Sequence, residues 1–479
     1  MAKNITPRAE NFPQWYQDVI QAGELADHSP VKGCMVIRPT GYAIWESMQA
    51  KLDRTFKELG HVNAYFPLLI PESFITKEAE HVEGFAPELA VVTHAGGKDL
   101  EERLVIRPTS ETIIGHMYSK WVKSYRDLPL LINQWANVMR WEMRTRTFLR
   151  TTEFLWQEGH TAHETYEEAQ EETTKMLEVY RDFLQDVCAI PVIAGEKPEH
   201  EKFPGAKATY TVEAMMQDQK ALQAATSHNL GQNFAKAFEI QYLSRENKLE
   251  LAWTTSWGCT TRMIGGVIMV HADDDGLITP PNLAPIKVVI IPLFKKEEER
   301  EAVYAHADQI KEQLATKLDR LHIHIDGRDH LRPSDKFFNW AQKGVPMRIE
   351  VGPKDVAQNA GMTVRRDNRA KDAISLDEMA AKVPAILDDI QASLYQRALD
   401  NRAEHTHQVD SYDDFKKIIN DGGGFIYAHW DGTKETADLV QEETKATIRC
   451  IPMDSKEEEG LCMVTGQPSK RRVLFAPSY

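Results

Sequence analysis

The chain has 479 residues, which is too long for one ordinary hydrophobic core, so two to four domains are expected. Hydrophobic residues make up 42% and charged residues 27%, and apolar runs such as KVVIIPLF are well under the roughly 20 residues of a membrane span. The five scattered cysteines argue against a disulfide framework and fit the reducing cytoplasm, and the formal net charge of −15 disfavours general nucleic-acid binding while leaving room for a local basic surface.

The first part of the chain combines helical and extended segments. Residues 42–59 place apolar side chains on one helical face, and Gly60 follows as a plausible helix stop. The pattern at 130–157 predicts a strand, a loop and a second strand, and a further helix is predicted near 164–187. Residues 251–270 predict a strand that turns into a helix.

The best candidate for a domain boundary is the proline-rich segment GLITPPNLAPI at 276–286. Strands and helices then alternate to about residue 400, which predicts an α/β domain with a mostly parallel sheet. A polar stretch around 400–412 makes a weaker boundary before a small C-terminal module. The predicted domains are therefore 1–280, 286–400 and 408–479.

The segment RWEMRTRTFLRTTEFLWQEGH, residues 140–160, is basic and aromatic in an acidic chain. Arg140 and Glu142, at alternate positions of a strand, would project to one face, where a guanidinium can hold a phosphate and a carboxylate can accept from an amine. A solvated cross-strand ion pair is the alternative for these two residues alone. The basic loop and the returning strand with Phe154 favour a nucleotide site, with Arg262 on its other face or at a distal phosphate.

These motifs resemble those of a known family. Arg140-x-Glu142 with its loop resembles motif 2 of the class II aminoacyl-tRNA synthetases, and Thr260-Thr261-Arg262 resembles motif 3. The helix at 42–59 with the following strand resembles motif 1, which carries the dimer interface in that class. Four segments together resemble the prolyl-tRNA synthetases closely, in the short form without an inserted editing domain: RPTSE (107–111), RWE…QEGH (140–160), ATSHNLGQNF (225–234) and TSWGCTTR (255–262).

The resemblance implies a mixed α/β (α+β) protein with a class II antiparallel-sheet catalytic domain, an α/β anticodon-binding domain and a small α/β C-terminal domain. It implies ligation of L-proline to tRNA(Pro) through a prolyl-adenylate, with Mg²⁺ accompanying ATP, in a cytoplasmic homodimer without a membrane. A threonyl, histidyl or glycyl enzyme of the same class is the alternative, disfavoured by RPTSE and ATSHNLGQNF. A catalytically inactive paralogue that binds tRNA is another.

The resemblance also implies roles for individual residues. Arg140 and Arg262 would carry catalysis by stabilising charge at the α-phosphate and the distal phosphates. Proline would contact Thr109, Glu111, Arg140, Trp156, Glu158, His160 and His228. ATP would contact Arg140, Glu142, Arg150, Thr151, Phe154, Gln223, Thr226, Thr260 and Arg262. Simpler alternatives are a helix N-cap for RPTSE, core packing for Trp156 and a satisfied core histidine at 228.

Contacts with tRNA are expected at the tip of the motif 2 loop and in the basic stretch at 348–371, where a solvated charged surface is the alternative. The residues proposed are Arg144, Arg146, Arg348, Glu350 and Lys354. Many members of the family bind zinc in the C-terminal domain through four cysteines. Here Asp431 and Thr436 stand where cysteines are expected, so no structural zinc is expected. In the family the carboxylate of the last residue, here Tyr479, reaches back toward the active site.

Overall fold

The computed structural model describes residues 4–75 and 89–479, so residues 1–3 and 76–88 of the first predicted domain lie outside it. The helices up to residue 271 are α1 (Phe12–Ala22), α2 (Pro39–Glu58), α3 (Glu72–Ile75), α4 (Glu111–Trp121), α5 (Tyr166–Asp182), α6 (Asn233–Phe238) and α7 (Arg262–His271). The strands of this region begin with β1 (Ala26–His28), β2 (Met35–Ile37), β3 (Val62–Asn63), β4 (Leu69–Pro71), β5 (Ala90–Ala95), β6 (Lys98–Ile106) and β7 (Leu130–Met139). They continue with β8 (Glu153–His163), β9 (Val192–Glu196), β10 (Ala208–Met215), β11 (Ala221–Gly231), β12 (Gln241–Leu243), β13 (Leu249–Leu251) and β14 (Trp253–Thr260).

A long antiparallel sheet organises this region. Its strands lie in the order β9-β10-β11-β14-β8-β7, with every neighbouring pair antiparallel, and β3 joins β7 in parallel at the edge. The main hydrophobic core lies between this sheet and helices α1, α2, α5 and α7, with Trp15, Phe56, Tyr180, Trp257 and Val267 among its members. The antiparallel catalytic sheet is the fold class expected from the sequence.

Both long helices predicted for this region are confirmed. Helix α2 begins at Pro39, three residues earlier than expected, and ends at Glu58, and Gly60 follows with φ +94°. The Thr165 side chain caps α5 by accepting from the Glu168 N–H at 3.2 Å. After Asp182 the helix widens into a π-helical turn over Phe183–Val187, so the predicted segment 164–187 is helical almost throughout.

The second region alternates strands and helices. Its strands are β15 (Val288–Pro292), β16 (Ile323–Ile325), β17 (Met347–Val351), β18 (Ala360–Arg365) and β19 (Lys371–Ser375). Its helices are α8 (Glu297–Ala315), α9 (Pro333–Gln342), α10 (Pro353–Ala357) and α11 (Leu376–Glu404). The prediction of a mostly parallel sheet is wrong: β15 pairs in parallel with β16 and β17, but β17–β18 and β18–β19 are antiparallel. The links before β18 and β19 are too short for a parallel crossover, which needs a dozen or more residues.

The C-terminal region extends the first sheet. It contains α12 (Tyr412–Asn420), α13 (Lys434–Thr444), β20 (Thr406–Gln408), β21 (Phe425–His429), β22 (Ala446–Pro452), β23 (Gly460–Leu461), β24 (Pro468–Ser469) and β25 (Arg472–Pro477). Strand β22 pairs with β9 through Ile451↔Glu196 and Pro452↔Gly195. Over the described residues this pairing produces one 11-stranded sheet, in the order β20-β21-β25-β22-β9-β10-β11-β14-β8-β7-β3.

The second region is attached differently, through ion pairs. Helix α7 ends at His271, and the acidic turn that follows it is held by arginines of the second region. Arg366, which is 7% exposed, donates to both carboxylate oxygens of Asp273 at 2.6 and 2.8 Å, and Arg369 pairs with Asp275. Within residues 4–75 and 89–479, no helix is both long and apolar enough to span a bilayer.

Candidate active site

One face of the central sheet forms the floor of a cavity of about 460 Å³. The cavity lies under the loop between β7 and β8 and beside the start of α4. It gathers, from widely separated segments of the chain, every residue predicted to contact proline or ATP. These are Thr109, Glu111, Arg140, Glu142, Arg150, Thr151, Phe154, Trp156, Glu158, His160, Gln223, Thr226, His228, Thr260 and Arg262.

Strand alternation explains how β8 supplies part of the floor. Trp156, Glu158 and His160 alternate along β8 and so share the face that lines the cavity. Gly159 lies between them on the opposite face, where a Cβ atom would stand 2.1 Å from the ring of Trp257. Glycine is therefore required there, because the tryptophan ring packs directly on the β8 backbone.

A row of polar side chains crosses the floor from strand to strand. The register pairs Thr209 with His228, His228 with Ser256, and Ser256 with His160. The Thr209 hydroxyl lies 3.0 Å from Nδ1 of His228, and the His228 ring stacks at 4.7 Å from Phe203. The hydroxyl of Ser256 is buried and finds no hydrogen-bond partner among the residues that the structure describes, so it is available to a bound molecule.

A hydrogen-bonded network fixes the carboxylate of Glu158. Its Oε1 accepts from the Ser110 hydroxyl at 2.6 Å and from the Gln134 amide at 2.7 Å, and its Oε2 lies 2.8 Å from Nε2 of His160. Burial lowers the pKa of His160, but the hydrogen bond and charge of Glu158 outweigh it and raise that pKa above its usual value. The contact with Glu158 therefore favours the protonated form of the buried His160 ring.

Glu111 and His228 complete this part of the cavity. Thr109 donates its hydroxyl proton to the Glu111 carboxylate, and both side chains are buried. Burial lowers the pKa of His228 to about 4, so its imidazole is neutral at physiological pH. We call Glu111, Glu158, His160 and His228 the acidic end of the cavity.

The other end is cationic. The guanidinium of Arg262 donates from Nε to the Leu149 carbonyl at 3.0 Å and from Nη1 to the Gln223 carbonyl at 3.3 Å. Burial, followed by the charges of Arg140 and Arg150, lowers the pKa of Arg262 to about 10. This repulsion shows that the arginines share one confined space. We call Arg140, Arg150 and Arg262 the arginine end.

Arg140 is the member of the arginine end that packs against the aromatic side chains. Its Nε donates to the Pro108 carbonyl at 2.9 Å, and its guanidinium lies 5.6 Å from the ring centroids of both Phe154 and Trp156. These rings meet edge to face at 6.1 Å. An arginine held this way can contact an anion on either side, so the cavity suits one ligand with an ammonium and a carboxylate beside a second ligand with several phosphates.

Comparison with known proteins agrees with this chemistry. The model of the tRNA synthetase class II core domain (G, H, P, S and T) matches residues 92–271, that of the anticodon-binding domain matches 287–386, and that of the prolyl-tRNA synthetase C-terminal domain matches 412–479. The proline–tRNA ligase of Phocaeicola vulgatus is 56% identical over 494 residues, covering 100% of this chain and 99% of its own. The chain belongs to the prolyl-tRNA synthetase family. Proline–tRNA ligases of Roseiflexus sp. (56%) and Chlorobium phaeobacteroides (55%) also match over 100% of this chain and 99% and 100% of theirs.

The sequence predicted that Arg140 and Glu142 lie on a strand, but in the structure they lie in the loop after β7. Strand β7 ends at Met139, and β8 begins at Glu153 rather than at Arg150. Local hydrogen bonds replace the ladder in this loop: the Glu142 carboxylate accepts from the Arg144 N–H at 2.9 Å, and Arg146 and Arg150 exchange backbone hydrogen bonds at 2.6 and 2.8 Å. The Glu142 carboxylate also pairs with Arg150.

The RPTSE segment also differs from its prediction. Glu111 is the first residue of α4, and Thr109 precedes the helix by two residues. Ser110 holds the N-cap position, but its side chain makes no cap hydrogen bond and donates instead to Glu158. The helix N-cap considered for RPTSE is therefore present in position, but the Ser110 hydroxyl bonds to the buried carboxylate instead of capping the helix.

Several cavity residues were not singled out from the sequence. They include Lys197, Glu201, Lys202, Phe203 and Pro204 of the loop between β9 and β10, Thr209 of β10 and Ser256 of β14. The Pro-Gly pair in EKFPGAK, residues 201–207, indicates a loop. Nothing in its local pattern places that loop beside RPTSE, because sheet pairing over long sequence separations brings them together.

The residues predicted to contact tRNA lie in two places. Arg146, near the tip of the motif 2 loop, has its guanidinium 4.9 Å from the Tyr479 ring. Arg348 donates to Glu350 at 2.9 Å on β17, and Lys354 is exposed at the start of α10. Much of the basic stretch at 348–371 is engaged within the protein, including the arginines that bind the acidic turn after α7.

The C-terminal positions considered for zinc form a hydrogen-bonded cluster instead. Asp431 accepts from the hydroxyls of Thr433, Thr436 and Thr465, each at 2.8 Å. In the part of the chain that the structure describes, no three His, Cys, Asp or Glu side chains are grouped to hold a metal ion. Tyr479 lies against the catalytic region, with its backbone N–H donating to the Ala221 carbonyl at 3.2 Å and its hydroxyl bonded to Asp218.

Proposed function

We propose that this prolyl-tRNA synthetase joins L-proline to tRNA(Pro) in two steps. A proline carboxylate oxygen attacks the α-phosphorus of ATP, the bond to the bridging oxygen breaks, and pyrophosphate leaves. A terminal ribose hydroxyl of the tRNA then attacks the prolyl carbonyl carbon and loses its proton, and AMP leaves. The observation that carries the proposal is the convergence of an acidic end and an arginine end on one cavity in a chain of this family.

The acidic end suits the amino acid. The Glu111 carboxylate and the Thr109 hydroxyl are acceptors for the secondary ammonium of proline. Trp156 and the neutral ring of His228 offer apolar surface to the pyrrolidine ring, while Glu158 and His160 support this wall through their network. Arg140 takes the carboxylate of proline and the α-phosphate, which aligns the attacking oxygen with phosphorus.

The arginine end suits ATP. Arg262 and Arg150 take the distal phosphates, where they stabilise the charge that develops on the leaving pyrophosphate. Glu142 accepts from the adenine amine and Phe154 packs against the base, while Thr151, Gln223, Thr226 and Thr260 complete the ATP wall. Mg²⁺ enters as part of the ATP substrate, since this ion usually keeps several waters and is bound largely by phosphate oxygens.

We also propose three domains, at 1–280, 286–400 and 408–479, and each matched family segment falls inside one of them.

Arg144 and Arg146 would meet the acceptor end of the tRNA, and Arg348, Glu350 and Lys354 its anticodon. A homodimer is supported by Val62 and Tyr65, which are 59% and 71% exposed beside the edge strand β3. The free thiols of the five cysteines support action in the cytoplasm.

ATP–pyrophosphate exchange measured with each of the twenty amino acids tests this function. We expect exchange with proline for the wild-type chain and its loss in Arg140→Ala, with an unchanged circular dichroism spectrum. Arg181→Ala, on the outer surface of α5, is the matched control and keeps wild-type exchange. Exchange with another amino acid alone would favour a different class II enzyme, and tRNA binding without any exchange would favour the inactive paralogue.

A further inference from the structure

A buried ion-pair network connects the C-terminal region with the wall of the catalytic cavity. Arg449 of β22 donates from Nε to Oε2 of Glu213 on β10 at 3.0 Å, and its Nη2 lies at the same distance from that oxygen. The Glu213 side chain is fully buried and that of Arg449 is 9% exposed. Neither residue lines the cavity, and neither has a part in the two-step reaction described above.

The network continues to the cavity through Lys197. The ammonium of Lys197 lies 3.8 Å from Oε1 of Glu213 and 3.1 Å from Oε2 of Glu201. Lys197 and Glu201 both line the cavity. Lys197 also begins the loop that carries Phe203, whose ring stacks on His228 at the acidic end. A displacement of Lys197 would therefore move the wall on the amino-acid side.

Backbone irregularity directs Arg449 toward this network. In the pairing of β22 with β25, Ile448 opposes Phe475 and Cys450 opposes Leu474, so Arg449 is the extra residue of a bulge. Bulges of this kind redirect a side chain out of the regular alternation. Here the redirected side chain crosses to Glu213, close to the point where β22 joins the catalytic sheet through β9.

Two nearby cations keep the pKa of the buried Glu213 carboxyl low. Burial raises its pKa, but the charges of Arg449 and Lys197 outweigh that effect and hold the pKa below its usual value. Without Arg449, the fully buried carboxylate would either take up a proton or draw Lys197 away from Glu201, because an unpaired buried charge is strongly unfavourable. Both outcomes change the position of Lys197.

We propose that Arg449 is a positioning residue for proline activation, which acts by pairing with Glu213 and so fixing Lys197 in the cavity wall. The C-terminal region thereby helps to set the geometry of the amino-acid site, although it supplies no residue of the cavity lining. This inference rests on the function proposed above. It assigns no contact between Arg449 and a substrate, and it places the effect at Lys197 in the cavity wall.

Steady-state ATP–pyrophosphate exchange with Arg449→Met, Arg449→Lys and Lys197→Met tests the proposal. We expect Arg449→Met and Lys197→Met each to raise KM for proline about tenfold while KM for ATP stays within about threefold of wild type. Arg449→Lys should restore most of the affinity, since it returns a cation. Arg472→Met is the matched control: Arg472 is similarly buried and pairs with Asp410 and Glu458 inside the C-terminal region, so its loss should leave KM for proline unchanged.

The double variant Arg449→Met/Glu213→Gln distinguishes an effect on the position of Lys197 from an effect on protein stability. It can also replace the single variant Arg449→Met if that variant does not fold. Removing both charges should restore the melting temperature, because no buried charge is left unpaired. KM for proline should stay raised, because Lys197 has lost one of its two carboxylate partners and keeps only Glu201. Recovery of both quantities, or a wild-type KM in Arg449→Met, would overturn the proposal while leaving proline activation by the wild-type chain intact. Absence of exchange in the wild type would overturn the proposed function itself, and this inference with it.

Discussion

The two ends of the catalytic cavity hold their charged groups in different ways. At the arginine end, the guanidinium groups of Arg140 and Arg262 donate to backbone carbonyl oxygens at 2.9 to 3.3 Å. At the acidic end, the carboxylate of Glu158 is bonded to three neighbouring side chains at 2.6 to 2.8 Å. One end is oriented by the main chain and the other by a network of side chains.

This difference predicts different sensitivities to substitution. Backbone carbonyls remain when their side chains are changed, so the arginine end should respond mainly to loss of the arginines themselves. A side-chain network is non-additive, and loss of any member leaves the others with unpaired buried groups. The acidic end should therefore respond to changes in residues that never touch a substrate.

The largest effect is expected for Arg262→Ala. This substitution removes a partly buried cation from the distal phosphates and should lower kcat for exchange by about 10²–10³, the scale of one lost oxyanion donor. KM for proline should change little, because the acidic end keeps all its hydrogen bonds. The kinetic constants for both substrates check this, with Arg181→Ala as control, and a selective loss of proline affinity would contradict the separation of the two ends.

Glu158→Gln should produce the next largest effect, at the acidic end. The amide cannot serve as the charged partner of His160, whose raised pKa depends on that carboxylate. We expect kcat/KM for proline to fall by about 10- to 100-fold, on the order of one lost buried charge-assisted hydrogen bond, with KM for ATP unchanged. Glu153→Gln, on the same strand and outside the cavity lining, is the matched control. A wild-type proline KM in Glu158→Gln would show that the network has no part in the site.

The sequence predicted the residues of both ends better than it predicted how they are held. The resemblance to the family's motifs implied that Arg140, Glu111 and Arg262 share one site, and all three line the cavity. The sequence pattern misplaced Arg140 and Glu142 on a strand, since local hydrogen bonds in the loop replace the ladder after Met139. Local patterns also gave no sign of Gln134 as a partner of Glu158, because cross-strand registry creates that contact.

The fold shows the same limit. Periodicity predicted α2 and α5, whose buried faces repeat over several turns. The union of the C-terminal strands with the catalytic sheet could not be predicted, because β22 and β9 pair through only two registered positions that lie far apart in sequence. Arg449 and Lys197 were missed for this reason: each residue looks like an ordinary surface cation until the two strands are neighbours.

The pKa values of the two histidines of the acidic end should be shifted in opposite directions. Burial lowers the pKa of His228 to about 4, whereas the Glu158 carboxylate raises that of His160 despite its burial. Between pH 6.5 and about 4, His228 is protonated in the unfolded chain but neutral in the folded chain. The free energy of unfolding therefore falls as the pH falls through that window. His160 has the opposite sign: its stabilising contribution is present below pH 6.5 and is lost as the pH rises through its raised folded pKa.

Nuclear magnetic resonance titration of the chain with labelled histidine measures both values, with His160→Gln and His228→Gln used to assign the signals. One signal should remain neutral down to about pH 4, and the other should remain protonated above pH 6.5. In Glu158→Gln the second signal should move to lower pH while the first stays nearly constant. Two histidines with ordinary pKa values would show that the acidic end is open to water.

The smallest effect is expected for Arg150→Met at the arginine end. The Arg150 side chain is 59% exposed and pairs with Glu142, so water screens its charge and the pair contributes about 0 to 1 kcal/mol to stability. We expect KM for ATP to rise about threefold, with kcat and KM for proline near wild type. Because exposed charges are screened within about 10 Å at 0.1 M salt, the difference from wild type should shrink as salt is raised. The Arg262→Ala defect should persist in the same salt series, since Arg262 is less exposed than Arg150. Equal salt dependence of the two variants would show that exposure does not distinguish these arginines.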